Sequence, residues 1–372
     1  MKRIFLTAAI VALAGLTAGA QGKFLPRHLA VLRAGNGVLP LHLKQSPVFI
    51  DQFTPGGFND APSFTVRIPT NGPDTLFFNG HAATEGILTR SADGRYLAFA
   101  GYGGVSLLQS NGTPSELAID RGFCTVDAAG NVRTMIYGKL GDKKMNPRGV
   151  VTDGDGNFWG CGNAYGTVYY NPDRMTEPVE FKAIENSRAI KIINHTLYTT
   201  LNEADGIAGE LPAGIFSFAD ASGDPVPLPH SPDTTLAGVV PAEAPYTRIA
   251  GFDMNPAGTI AYTADTAAGV QKYVKTGGAW KFAYNFSIPQ NIPALQNRGT
   301  GCFALVVDFS GPAPIIYATT TEGYGGCVNS NRVVQIVDTN AMATVTTLAQ
   351  AGSTNIAYRG IDFTPESQPL GR

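Results

Sequence analysis

A short pattern recurs six times along this chain: a small residue, an apolar strand, a tight turn, then a second apolar strand. It runs through Glu85-Gly86-Ile87-Leu88-Thr89, turns at Asp93-Gly94, and continues as Tyr96-Leu97-Ala98-Phe99-Ala100. It returns at Arg148-Gly149-Val150-Val151-Thr152 with Asn157-Phe158-Trp159, and at Arg188-Ala189-Ile190-Lys191-Ile192-Ile193 with Thr196-Leu197-Tyr198. Ala250-Gly251-Phe252-Asp253 turns through Asn255-Pro256-Ala257-Gly258 into Ile260-Ala261-Tyr262, and Phe303 to Phe309 leads to Ile315-Ile316-Tyr317. The last copy, Arg359-Gly360-Ile361-Asp362-Phe363, supplies a first strand only.

Repetition at a period of roughly 40 to 60 residues means stacked modules of one kind. The composition agrees: 44 Gly, 25 Pro and only 15% charged residues suit many short strands joined by tight turns. Four-stranded modules of this length predict an all-β chain folded as a single β-propeller. The last copy lacks partners, and the other end of the chain offers them in His28 to Leu32, Val48 to Phe53 and Phe64 to Ile68. N- and C-terminal strands therefore share one blade and close the ring, which removes the open sheet edge. Counting first strands gives six blades. Phe123 to Asp127 resembles a seventh opening, and seven is the alternative. The next copy begins too soon for four strands of ordinary length, so Phe123–Asp127 and Val132–Tyr137 are read as outer strands of the blade that opens at Glu85.

The first residues have the form of a secretory leader. Lys2 and Arg3 are followed by the apolar run Ile4 to Leu16 and the small residues Ala18-Gly19-Ala20. Residues 1–20 are expected to leave as a signal peptide and 21–372 to form the propeller. The apolar run is too short for about 30 Å of hydrocarbon, so the mature chain is not expected to enter a membrane. Export, to the periplasm or beyond the cell, permits disulfides. Cys302 and Cys327 flank one hairpin and are expected to bond, leaving Cys124 to pair with Cys161. The formal charge is −2, without a basic run, which gives no support to a nucleic-acid partner.

Several segments match, in order, a group of secreted bacterial proteins of uncharacterised function. They are Thr84 to Tyr102, Phe123 to Val132, Arg148 to Trp159 and Arg359 to Pro365. The chain resembles that family of exported β-propellers over most of its mature length, specifically only at these segments. The resemblance implies fold and export and carries no catalytic residues. Many such proteins have a C-terminal anchor, whereas Ser367 to Arg372 has no hydrophobic stretch; release is expected over surface retention.

In a propeller, the loops entering the innermost strands share a face with those joining second and third strands. Asn202 to Leu211, Pro229 to Tyr246, Pro289 to Gly299 and Gly323 to Asn331 are assigned to that face, where long loops on a rigid scaffold carry binding. Arg148, Arg188 and Arg359 share one register there, immediately before the innermost strand, and Glu85 takes it in its own blade. Guanidinium forks suit carboxylate, phosphate or sulfate; the bland alternative is that each arginine pairs with the neighbouring blade and cements the ring. Tyr102 and Tyr324 lie in near-identical Gly-Tyr-Gly-Gly loops, and Tyr165 follows Trp159 similarly. Such rings either stack on a ligand or pack between blades. His81 leads towards Glu85 and is placed near the channel mouth.

No metal-ligand spacing links the five histidines, Asp153 and Asp155 form a turn rather than a calcium loop, and no cofactor is implied. No nucleophile with a base and an orienting acid is visible. The reading is an exported, non-catalytic propeller that binds an anionic or carbohydrate-like ligand, or a partner protein, on its long-loop face. An extracellular carbohydrate-active hydrolase or lyase using His81 and Glu85 is the alternative, and a structural envelope protein is the third.

Overall fold

The computed structural model describes residues 22–41, 45–103, 119–138, 146–163, 166–181, 186–202, 211–289, 291, 300–323 and 328–368. The leader therefore lies outside the described residues, as do Tyr165, Tyr324 and Cys327. Every regular element among the described residues is a β-strand.

Four sheets are separate and four-stranded, with their strands in chain order. The first holds β9 (Pro147–Thr152), β10 (Phe158–Gly162), β11 (Thr167–Tyr170) and β12 (Val179–Glu180). The second holds β13 (Ser187–Ile193), β14 (Thr196–Leu201), β15 (Gly214–Ala219) and β16 (Thr235–Pro241). The third runs from β17 (Ile249–Met254) through β18 (Ile260–Asp265) and β19 (Gly269–Thr276) to β20 (Ala279–Phe286). The fourth comprises β21 (Cys302–Asp308), β22 (Ile315–Thr320), β23 (Arg332–Val337) and β24 (Val345–Gln350).

The remaining nine strands form one sheet, so the expectation of six separate blades is corrected to four plus a composite. Its strands are β1 (Leu29–Ala34), β2 (Gln45–Phe53), β3 (Phe64–Arg67), β4 (Leu76–Asn79), β5 (Thr89–Arg90), β6 (Tyr96–Gly103), β7 (Asp120–Asp127), β8 (Val132–Gly138) and β25 (Ala357–Phe363). At one end β25 pairs with β1, β1 with β2 and β2 with β3; at the other, β5 pairs with β6, β6 with β7 and β7 with β8. The physical reason for the merger is β4, which hydrogen-bonds to both β2 and β6 and stitches the two groups together. Strands from both termini share a sheet, as the repeat predicts.

The first strands touch in the order β5, β9, β13, β17, β21, β25 and back to β5, which makes a closed ring of sheets resembling a propeller. Being enclosed on both faces, they are buried almost throughout: every residue of β9 and β17 is buried. Outer strands instead alternate. In β20, Ala279, Lys281 and Ala283 face water while Trp280 and Phe282 are half-buried.

Asx turns recur on the short-connection pole. Asp127, Asp153 and Asp220 each accept two backbone N–H bonds from residues two and four further on. Asp153 is thus a turn residue, as expected. The segment Pro229 to Tyr246 is not one long loop: it contains β16, and only its last part enters the next first strand. Cys124, Cys161 and Cys302 are buried free thiols, which corrects the expected Cys124–Cys161 bond. Those two point into different clusters, Cys124 among Leu97, Phe99 and Val126, Cys161 among Val151, Trp159 and Ile190.

Candidate functional site

The small residue that opens each repeat has a structural cause. Pairing between first and second strands slips at one place in β9, β13, β17, β21 and β25, giving a bulge at Arg148, Arg188, Ala250, Phe303 and Arg359. A bulge re-aims the side chain it carries. Adjacent first strands also come closest here: Ile87 N–H donates to Arg148 O (2.9 Å) and Gly360 N–H to Gly86 O (2.7 Å). A Cβ on Gly251 would press on Ala304 Cα (3.0 Å), and one on Gly360 would collide with Leu88 N. Small residues follow the bulge because a neighbouring backbone occupies the space, and the arginines are the bulge residues themselves.

Arg148, Arg188 and Arg359 are therefore drawn into the ring wall, where they are 5%, 7% and 3% exposed. Arg359 donates to Glu85 O (3.0 Å) and to Asn79 O and Gly80 O (both 3.2 Å). Arg148 donates through one nitrogen to Asn186 Oδ1 and to Ser187 O (3.1 Å). Arg148 reaches the backbone of the next first strand, β13, and Arg359 that of the segment from Asn79 to Glu85 that leads into β5, as the cementing alternative requires. Burial lowers the pKa of Arg148 to about 10 and that of Arg188 to about 9, the latter also repelled by Arg148.

Glu85 stands between Arg359 and Arg148 in ring order and is completely buried. Its two oxygens accept bonds from Tyr102 Oη (2.7 Å) and Asn79 N–H (3.0 Å). Burial pushes its carboxyl up to about 7, against the pull of Arg359, Tyr102 and Asn79 N–H. Tyr102 is buried too, stacked on Phe77 and beneath Arg121, so it packs inside the ring wall rather than standing open at a loop tip. Its hydroxyl also lies 3.2 Å from Asn146 Oδ1. His81 is half-buried before β5, its N–H bonded to Asn79 Oδ1 (3.1 Å). Chemically, the pole offers a protonatable carboxyl, a phenol and several guanidinium groups within one wall.

Two groups escape sequence reasoning. One is the pair Asn146 and Asn186, each two residues before an arginine; the repeated Asn-x-Arg spacing was the available signal. The other lies further along the first strands. Lys191 Nζ is 3.5 Å from Asp253 and 3.7 Å from Asp362. In ring order β13 and β25 are three strands apart, so Lys191 spans the ring axis. Asp253 also accepts Val307 N–H (2.9 Å) and Asp362 accepts Arg90 N–H (3.0 Å), each from the following first strand. Burial disfavours the Lys191 ammonium, but the two carboxylates outweigh it and raise its pKa.

On the opposite pole, a cleft of about 240 Å³ lies between the β6–β8 strands and the β9–β10 turn, lined by Tyr96, Asp127, Arg133, Phe158 and Asp173 among others.

No model of a known protein family matches the chain, and no curated protein matches it. Among solved structures, it is similar to the dihydro-heme d1 dehydrogenase NirN in complex with DHE, at 12% identity and a TM-score of 0.40, over 86% of this chain and 53% of that one. It is similar to Kuenenia stuttgartiensis hydrazine synthase at 15% identity and 0.39, over 72% and 66%. Sqt1 from Chaetomium thermophilum gives 12% and 0.40, over 88% and 70%. The chain thus spans about half the length of NirN and two thirds of the hydrazine synthase chain. The closed ring is read from the strand pairing and from the contacts between first strands.

Proposed function

We propose that this is an exported member of the secreted bacterial propeller family it resembles, with six blades and no catalytic activity. Its long-loop pole would bind an anionic or carbohydrate-like ligand, or a partner protein, in the periplasm or outside the cell. The six-blade count is supported by the six touching first strands. On this reading the composite sheet is two blades, β25-β1-β2-β3 and β5-β6-β7-β8, bridged by β4.

The observation that carries the binding reading is the excess of donors at one pole. Three arginines enter the wall there, and Arg148 Nε, Asn186 Nδ2 and Ser187 Oγ are buried without a hydrogen-bond partner. Native proteins rarely leave such groups unsatisfied. A thermal-shift screen against uronates, inorganic phosphate and sulfated glycans tests it: an acidic ligand at 100 times its Kd should add about 2.7 kcal/mol of stability. The shift should shrink in Arg148→Gln measured against that variant's own baseline. A library without any shift counts against the reading.

One observation favours the hydrolase or lyase alternative: the Glu85 carboxyl, pushed up to about 7 beside Tyr102, has the proton affinity of a general acid. It is enclosed, with both oxygens engaged, which places it behind the binding reading.

A further inference from the structure

We infer that the cleft on the short-connection pole binds a single neutral sugar ring. This goes beyond the ligand of the long-loop pole and uses none of that pole's residues. Strands β6–β8 line one side of the cleft, and the β9–β10 turn with Pro172 and Asp173 after β11 lines the other. Deeper in, the same two groups of strands pack ring beside ring, Phe123 with Phe158 (5.9 Å) and Tyr137 with Tyr170 (6.2 Å). At the pole they part, and the turn between them is bare at Gly154 and Gly156. These glycines sit at φ 96° and 92°, where other residues are strained. A Cβ on Gly156 would meet nothing nearer than Asp173 Oδ2 at 3.6 Å. Arg95 donates to Gly154 O (2.9 Å) and lies over the Tyr96 ring (5.3 Å), which fixes the turn against the facing wall.

Tyr96, Val132, Met135 and Phe158 give the cleft an apolar, partly aromatic lining. Its inner polar groups are already spent. Asp127 accepts Ala129 N–H, Asn131 N–H and Asn131 Nδ2, and Thr152 Oγ1 accepts Gly154 N–H. Arg133 and Asp173 remain, their side chains 66% and 73% exposed and 4.0 Å apart across the two blades. Among the described residues neither side chain has another partner. An exposed pair this long contributes little stability, so a ligand can part it at small cost. The guanidinium can only donate and the carboxylate only accept. A charged ligand would satisfy one of them and be repelled by the other. A neutral vicinal diol gives an oxygen to Arg133 and a hydroxyl hydrogen to Asp173, while the apolar face of its ring lies against the aromatic lining. The volume of about 240 Å³ falls below that of pockets for drug-sized ligands, about 300 to 1,000 Å³, and so suits one ring.

Because both side chains are exposed, Arg133→Gln and Asp173→Asn remove no buried contact. Isothermal titration calorimetry of the full chain tests the inference, with the methyl pyranosides of glucose, galactose and mannose as neutral probes and glucosamine as the cationic one. At least one methyl pyranoside should bind, and more tightly than glucosamine. Each variant should weaken it about tenfold. Glucosamine should gain only in Arg133→Gln, where Asp173 has lost its counter-charge. Absence of binding by all three methyl pyranosides overturns the site, as does an affinity unchanged in both variants. Binding that falls in Arg148→Gln but holds in Arg133→Gln and Asp173→Asn places the sugar on the long-loop pole and overturns this site alone. If binding falls in these two variants while no acidic ligand stabilises the chain, this site stands and the long-loop reading falls.

Discussion

Glu85 shows how one residue can govern the pH response of the whole ring. Its folded pKa of about 7 lies above the ordinary 4.5 because burial penalises the charged form. An acid raised in this way stabilises the fold fully below the unfolded pKa. The contribution is lost as pH climbs through the folded value. Between pH 4.5 and 8, this group alone should cost about 3 kcal/mol. Denaturant titrations at pH 5 and pH 8 should show that decline in the natural chain and a flattened profile in Glu85→Gln, which cannot ionise. An unchanged slope in the variant would place the pH response elsewhere. None of this was legible in the sequence, where Glu85 is an acid at an arginine's register. The cause of its shift is complete burial in the ring wall, which outweighs the opposing pull of Arg359, Tyr102 and Asn79 N–H, and only the fold brings these groups together.

At the scale of the element, the repeat was readable because five of the six first strands meet the same demands: burial on both faces, a bulge, then a small residue. The sequence pattern of arginine followed by Gly or Ala records those demands directly. Gly360 is the sharpest case, since a Cβ there meets the backbone N of Leu88 on β5. Gly360→Ala should therefore lower stability by about 2 kcal/mol. Gly311→Ala, where the added Cβ meets only Ala313 O at 3.5 Å, should stay within about 0.5 kcal/mol. Equal midpoints for the two variants in urea would contradict the seam between β25 and β5. The strand β4 was not legible: Leu76–Asn79 belongs to no repeat, and it pairs with β2 and β6, which lie in different groups of strands. The thiols misled for a related reason, because alternation along β7 and β10 sends Cys124 and Cys161 into separate layers.

For the whole molecule, closure of the ring creates the site. Arg359 reaches Glu85 only because β25 pairs with β1 and then lies against β5. The Lys191 crossing to Asp362 depends on the same closure. The shared sheet of the two termini was visible in the unpaired last repeat, whereas the inward pull of the arginines was not, since an arginine before a small residue reads the same whether its side chain enters the wall or the channel. The most direct test is amide hydrogen exchange resolved along the full chain. If the ring is closed as described, Ala357–Phe363 and Leu29–Ala34 exchange as slowly as the β17–β18 pair and open in the same cooperative event. Rapid exchange of Ala357–Phe363 while β17 and β18 stay protected would show an open ring, and with it no assembled pole.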